Sequence, residues 1–160
     1  MPPDKDEFRR IMGRFATGVT IVTSRLGDDL HGMTANALTS VSLEPPLVLV
    51  CVDRSADSHD IIERSGIFAV NILARGQEAL SISFAVKDRA AAHRLVDVPH
   101  HTRSTGAPII DGSLAYLDCR VVGCYPGGDH TIFMGEVVGA GSLDDEAPLI
   151  FYQGRYLGLA

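Results

Sequence analysis

Three stretches of the 160-residue chain concentrate side chains able to bind or transfer. Gly32 to Ser42 carries small hydroxyl or amide side chains at Thr34, Asn36, Thr39, Ser40 and Ser42. Small residues let a ligand approach the backbone, and hydroxyls and amides offer donors and acceptors. The same composition also describes a polar strand end with a turn. Val50 to Ser58 leaves an apolar run, enters a predicted helix, and sets Arg54, Ser55 and Ser58 near the helix N-terminus. A cation, two hydroxyls and unpaired N–H groups at the positive end of a helix suit a phosphate. A plain N-cap among solvated charges has the same residues. Gly127-Gly128-Asp129-His130 falls at a predicted hairpin tip. A histidine there is placed for hydrogen bonding or acid–base work near neutral pH, or is simply solvated.

Other chemistries lack their residues. His100 and His101 are adjacent and point apart, with no third ligand at metal spacing. No Cys-x-x-Cys pair, Gly-x-Ser-x-Gly elbow or Gly-x-Gly-x-x-Gly turn occurs, so zinc, acyl-enzyme and Rossmann readings have no support. The scattered Ser, Asp and His residues nominate no triad. Cys51, Cys119 and Cys124 are odd in number, which argues against a disulfide framework. Cys119 and Cys124 lie in one predicted strand, on opposite faces and roughly 16 Å apart, beyond disulfide reach. All three read as core or near-core thiols.

The elements that must position these residues follow from pattern. Phe8, Ile11, Met12 and Phe15 make one apolar helix face over Asp4 to Phe15, with Asp4 as cap and Glu7 three residues on. Val19 to Ser24 reads as a strand, and His31 to Ser42 as a second strand and a polar loop. Leu47 to Val52 is a continuous apolar run, expected of a strand buried on both faces. Ser58 to Arg64 reads as a helix ending near Gly66, Phe68 to Leu73 as a strand, and Gln77 to Val86 as helical. Lys87 to Thr105 is polar and predicted irregular and mobile. Leu114 to Tyr125 and His130 to Gly141 form a hairpin around Pro126-Gly127-Gly128-Asp129, and Pro148 to Tyr156 is the last strand. Many strands on short turns, without βαβ alternation, predict a closed or partly closed antiparallel barrel with helices packed on it.

Composition agrees. The chain is 46% hydrophobic and 21% charged, as in an ordinary globular protein. Its 14 Lys and Arg stand against 20 Asp and Glu, a net charge of −6 that disfavours phosphate-driven nucleic-acid binding. No apolar run nears the roughly 20 residues a bilayer span needs. Met1 to Arg10 is charged, without an apolar signal core. These features predict a single domain over 1–160, cytoplasmic, with no membrane contact.

The order of the motifs resembles the flavin reductase-like family with the FMN-binding split barrel, the reductase components of two-component flavin monooxygenases. The resemblance begins at Phe15-Ala16-Thr17-Gly18-Val19-Thr20-Ile21-Val22-Thr23. It runs through Thr34-Ala35-Asn36, Thr39 to Val50, Phe68-Ala69-Val70-Asn71-Ile72-Leu73 and Gly106-Ala107-Pro108. It closes with Gly128-Asp129-His130, Gly135-Glu136-Val137 and Pro148 to Gly154.

The resemblance implies a mainly β fold, an antiparallel Greek-key split β-barrel with a few flanking helices. It implies FMN, or FAD, as the flavin, NADH or NADPH as hydride donor, a separate monooxygenase as partner, and a homodimer. By the match, Thr34, Asn36, Ala37, Ser40, Val41 and Ser42 lie along the flavin ring and ribityl. Cys51, Val52 and Asp53 line it mainly through backbone, Arg54, Ser55 and Ser58 lie near its phosphate, and Phe84 and Ala85 also approach it. Asp129 and His130 belong to the motif that seats the nicotinamide, with His130 as the catalytic-side candidate and Tyr152 closing that side. A basic residue for an NADPH 2′-phosphate could come from Arg14, Arg89, Arg94 or none of them. Two departures stand out: Ala37 replaces a common Ser, and Leu95, after His93-Arg94, replaces a common aromatic. A flavin-binding electron carrier or sensor without efficient NAD(P)H turnover is the alternative, and the Gly128-Asp129-His130 motif argues against it. A relative binding haem ranks last, since no histidine has an apolar setting.

Overall fold

Asp4 starts the first element: its carboxylate accepts the Glu7 N–H at 2.8 Å, and the helix runs from there. The computed structural model describes residues 1–86, 94–143 and 145–159. In chain order the elements are α1 (Lys5–Met12), β1 (Thr17–Gly18), β2 (Thr20–Leu26), β3 (Asp29–Ala35), β4 (Leu38–Leu43) and β5 (Pro46–Asp53). There follow α2 (Asp57–Ser65), β6 (Ile67–Ile72), a 3₁₀ turn (Arg75–Gln77), α3 (Glu78–Ala85) and a second 3₁₀ turn (Arg94–Asp97). The remaining strands are β7 (His100–Thr102), β8 (Pro108–Ile110), β9 (Ala115–Gly127), β10 (His130–Ser142), β11 (Ile150–Tyr152) and β12 (Arg155–Leu157).

Seven strands form one antiparallel sheet in the order β3-β2-β6-β9-β10-β5-β4. Its two edges, β3 and β4, are successive in the chain, with only Asn36 and Ala37 between them. Three Cα steps reach roughly 10 Å at most. The sheet must therefore curl until its edges nearly meet, which makes a barrel split between β3 and β4. A three-stranded sheet, β1-β11-β12, and a two-stranded one, β7-β8, complete the fold.

The barrel is filled by the inward residues of these strands. Val22, Val48, Val50, Val52, Phe68, Val70, Cys119 and Phe133 cluster there, with Ile62 of α2 closing one end. A second cluster joins Val19, Ile21, Leu73, Phe84 and Leu95, among others. Asn71 is fully buried and satisfied: its Nδ2 donates to Ile21 O (3.0 Å) and Thr23 Oγ1 (3.1 Å), and its Oδ1 accepts from Ile110 N (2.8 Å). It fastens β8 to β2 and β6 without leaving a buried polar atom unpaired.

The elements match the sequence pattern with instructive differences. α1 stops at Met12, before Phe15. Phe8, Ile11, Met12 and Phe15 are all half exposed or more, so that face is not packed into the core. His31 to Ser42 holds two strands rather than a strand and a loop. The Leu47–Val52 run is not buried on both faces: Val48, Val50 and Val52 point inward while Leu47, Leu49 and Cys51 stay half-buried outside. The hairpin turn narrows to Gly128-Asp129, with φ +67° at Gly128, because Pro126 and Gly127 remain in β9. The final strand is two, broken by the positive φ of Gln153 and Gly154. Cys124 is exposed rather than near-core, since the end of β9 runs past the barrel filling. Of the stretch predicted mobile, residues 87–93 lie outside the described residues. Beyond them Leu95 is fully buried, which accounts for an aliphatic residue there.

Gly135 of β10 has no room for a side chain. A Cβ there would lie 2.5 Å from the Phe68 ring and 2.9 Å from Cys119 Cβ, both in the core. Gly135→Ala should lower the unfolding free energy by about 1–3 kcal/mol through overpacking, read by urea denaturation. An unchanged midpoint would contradict the packing described.

Candidate active site

The split is where the fold leaves space. A cleft of about 640 Å³ has Leu49 and Cys51 of β5, Asn36 and Ala37 of the β3–β4 connection, Met12 and Phe15 from α1 and its extension, and Phe151 of β11 around it. A second hollow of about 210 Å³ shares Asn36 and Phe151 and adds Thr34, Ala35, Ala85 and Tyr156. Together they fall in the size range of small-molecule sites. Ala35, Ala37 and Ala85 keep the walls low, Leu49, Phe151 and Tyr156 make them apolar, and the Asn36 amide, 3.3 Å from Thr17 Oγ1, supplies a donor at the junction. A flat, largely apolar ring system with polar edges fits such a space, as a flavin does.

Strand period explains the lining. On β5 the residues at 48, 50 and 52 fill the barrel, so 49, 51 and 53 face outward, toward the split. The Cys51 N–H donates to Ala37 O at 3.2 Å, so β5 also meets the connection through backbone. Burial pushes the Cys51 thiol above its ordinary range, leaving a neutral wall. Phe151 and Tyr156 sit with ring centroids 5.4 Å apart, and Tyr156 Oη bonds Ser81 Oγ at 2.8 Å, which ties this wall to α3. Thr34 Oγ1 donates to Ser81 O at 2.6 Å and fixes β3 to the same helix.

A polar corner adjoins the cleft at the end of β5. Asp53 pairs in register with His130, the first residue of β10. The Arg54 N–H donates to Asp129 O at 3.1 Å, locking the β9–β10 tip onto the segment that leads into α2. His130 Nδ1 donates to Asp129 Oδ1 at 2.7 Å, since an ionised carboxylate only accepts. That hydrogen bond, then the His130 charge, holds the Asp129 carboxyl below its ordinary value of 3.8.

The residues singled out in sequence separate into three groups. Thr34, Asn36, Ala37, Cys51 and Ala85 line the two hollows. Asp53, Arg54, Ser55, Asp129 and His130 meet at the corner. Ser55, however, gives both its N–H and its hydroxyl to Asp53, each at 2.8 Å. Ser58 is buried in the first turn of α2, leaving Arg54 as the exposed cation. Ser40, Val41 and Ser42 lie farther along edge strand β4 and line neither hollow. Val52 and Phe84 point into the core, and the Phe84 ring packs over Gly32. Tyr152 lines neither hollow, whereas its neighbour Phe151 lines both, as strand alternation sets adjacent side chains on opposite faces. Arg14 is exposed, does not line the cleft, and faces the Gln153 side-chain amide. Arg89 lies outside the described residues. Leu49, Phe151, Tyr156, Met12 and Phe15 were not singled out. The period-2 pattern of β5 and the apolar stripe of α1 were the available signals.

The family model of the flavin reductase like domain matches residues 12–160. The chain belongs to the flavin reductase-like family. A Rhodococcus NADH-dependent flavin reductase is 44% identical over 154 residues, 94% of this chain and 84% of that protein. The reductase component of a 4-nitrophenol 4-monooxygenase/4-nitrocatechol 2-monooxygenase from Rhodococcus opacus is 42% identical over 155 residues, covering 97% and 81%. The solved structure of the NADH:FAD oxidoreductase SgcE6 of Streptomyces globisporus C-1027, in complex with NAD and FAD fragments, superposes with a TM-score of 0.92 at 41% identity. It covers 100% of this chain and 95% of that one. The antiparallel split barrel of this flavin reductase-like protein is thus the architecture expected from its motifs.

The Asp129–His130 pair has a readout of its own. A carboxylate with a lowered pKa keeps its partner down to acidic pH and loses it only as pH falls through that lowered value. In an NMR titration Asp129 should ionise below the ordinary carboxylate value in the native protein and shift upward in His130→Ala. Identical titrations in the two proteins would show that the pair does not persist.

Proposed function

We propose that this protein is an NADH-dependent flavin reductase that takes FMN or FAD and delivers the reduced flavin to a separate monooxygenase. The observation that carries the reading is the split itself: an apolar, small-walled cleft lined by Leu49 and Cys51 of the strand that leads into the Asp53–Asp129–His130 corner. The family's names and the Rhodococcus opacus relative support the reaction and the destination.

When bound, the nicotinamide and the flavin supply the hydride chemistry themselves. What remains for the chain is binding and orientation, and its residues suit that task. Leu49, Cys51 and Phe151 would form apolar walls against the flavin ring, and Asn36 would meet its polar edge. Ala37 and Ala85 would allow close approach. His130, held by Asp129 and by the β5–β10 register, would orient the nicotinamide beside the ring, aligning the reactants as a near-attack geometry requires. Arg54 would serve the phosphate end. No nucleophile is required by this division of labour.

A homodimer belongs to the reading, because the α1 face and the tip of β4, Leu43 above all, present apolar surface that a second copy would cover. Among the described residues no helix is long and apolar enough to cross a membrane, and a cytoplasmic placement suits a reductase fed by NADH.

Steady-state NADH oxidation with added FMN or FAD tests the reading. The wild type should turn over with both flavins, and His130→Ala should raise the KM for NADH several-fold, about the effect of one lost hydrogen bond, with flavin affinity nearly unchanged. Weakened flavin affinity with an unchanged KM for NADH would move His130 to the flavin side. Flavin binding without NADH turnover would make the protein a carrier or sensor instead.

A further inference from the structure

The outer face of the main sheet continues past the cleft, and one aromatic on it is not used there. Tyr125 of β9 pairs with Ile132 of β10, and Ile132 pairs with Cys51 of β5. Directly opposed residues share a sheet face, so Cys51, Ile132 and Tyr125 form a row leading away from the cleft. The neighbouring row is Asp53, His130 and Gly127. Two strand spacings put the Tyr125 backbone roughly 10 Å from that of Cys51.

The Tyr125 ring lies down along its own strand. A Cβ on Gly123 would come within 2.7 Å of Tyr125 Oη, 2.8 Å of Cε2 and 3.0 Å of Cζ. The missing side chain at 123 is what lets the ring rest there. Tyr125 is nonetheless 50% exposed, and its hydroxyl has no hydrogen-bond partner among the described residues. The hydroxyl end of the ring lies against the strand at position 123, and half of the side chain is exposed. A ring fixed in this way is a stacking platform for a planar base, an interaction that needs no matching donors. The nearby charges narrow the ligand: Arg54, the exposed cation of the corner, suits a linking phosphate, and Asp53 and Asp129 favour a neutral heterocycle over an anion on the ring.

We infer that Tyr125 is the stacking seat for the adenine ring of an adenine dinucleotide whose reactive end occupies the split. The inference rests on the reductase reading. FAD and the nicotinamide dinucleotide both carry that adenine on a tether long enough to span the row, whereas FMN carries none.

Calorimetric titration of the whole protein with FAD, FMN and NAD⁺ tests it, in wild type, Tyr125→Ala, Tyr125→Phe and Gly123→Ala. Tyr125→Ala should weaken FAD or NAD⁺ about fivefold or more, the low end of a base stack, and leave FMN unchanged. Tyr125→Phe should bind as wild type. Gly123→Ala keeps the tyrosine but lifts its ring off the strand, so it should follow Tyr125→Ala. A loss confined to FAD assigns the flavin's adenine, and a loss confined to NAD⁺ assigns the nicotinamide dinucleotide's. Unchanged affinities, or equal losses for FMN, would overturn the inference while leaving the reductase reading in place. A wild type that binds none of the three would bring down both.

Discussion

Ala35 and Leu38 stand on opposite edges of a seven-stranded sheet, yet only Asn36 and Ala37 join them. A link that short cannot cross an open sheet, so the sheet curls, and the rest of the molecule follows from the curl. The inward residues of β2, β5, β6, β9 and β10 then converge on one filling. The two edges come close without hydrogen-bonding to each other, and the gap between them becomes the cleft. The residues of the link, Asn36 and Ala37, are consequently in the cleft wall, and they are small where a bulky pair would occlude it.

The second constraint is register. β5 and β10 pair over Leu47 to Asp53, which sets His130 beside Asp53 and Ile132 beside Cys51. A slip of one residue would turn Leu49, Cys51 and Asp53 into the core and Val50 and Val52 out. The apolar filling therefore fixes the placement of the polar corner. The core holds the register, and the register holds the groups proposed to orient bound nucleotides.

Much of this was legible in the residues. Gly66 ended α2 with φ +70°, the Gly128-Asp129 turn joined the long hairpin, and the Gly-Asp-His motif fell at its tip. What pattern alone obscured was orientation. Leu47 to Val52 is uniformly apolar because one face meets the core and the other the cleft, and hydropathy cannot separate the two. Phe151 and Tyr152 are adjacent aromatics, and only Phe151 lines the hollows, a difference of strand face that composition does not show. Phe84 and Ala85 are adjacent, and the helix turns one to the core and the other to the cleft. Ser55 and Ser58 have the composition of an anion site; in the fold Ser55 bonds Asp53 and Ser58 is buried, which composition does not reveal. In each case the missing information was tertiary, a matter of which neighbour claims a side chain.

The most direct measurement is anaerobic mixing of the purified protein with excess oxidised flavin and NADH, following the reduced-nicotinamide and oxidised-flavin absorbance bands together. The account predicts that both bands fall in concert, far faster than in a protein-free control. Flavin that binds, seen as quenched fluorescence, but stays oxidised while NADH persists would contradict it.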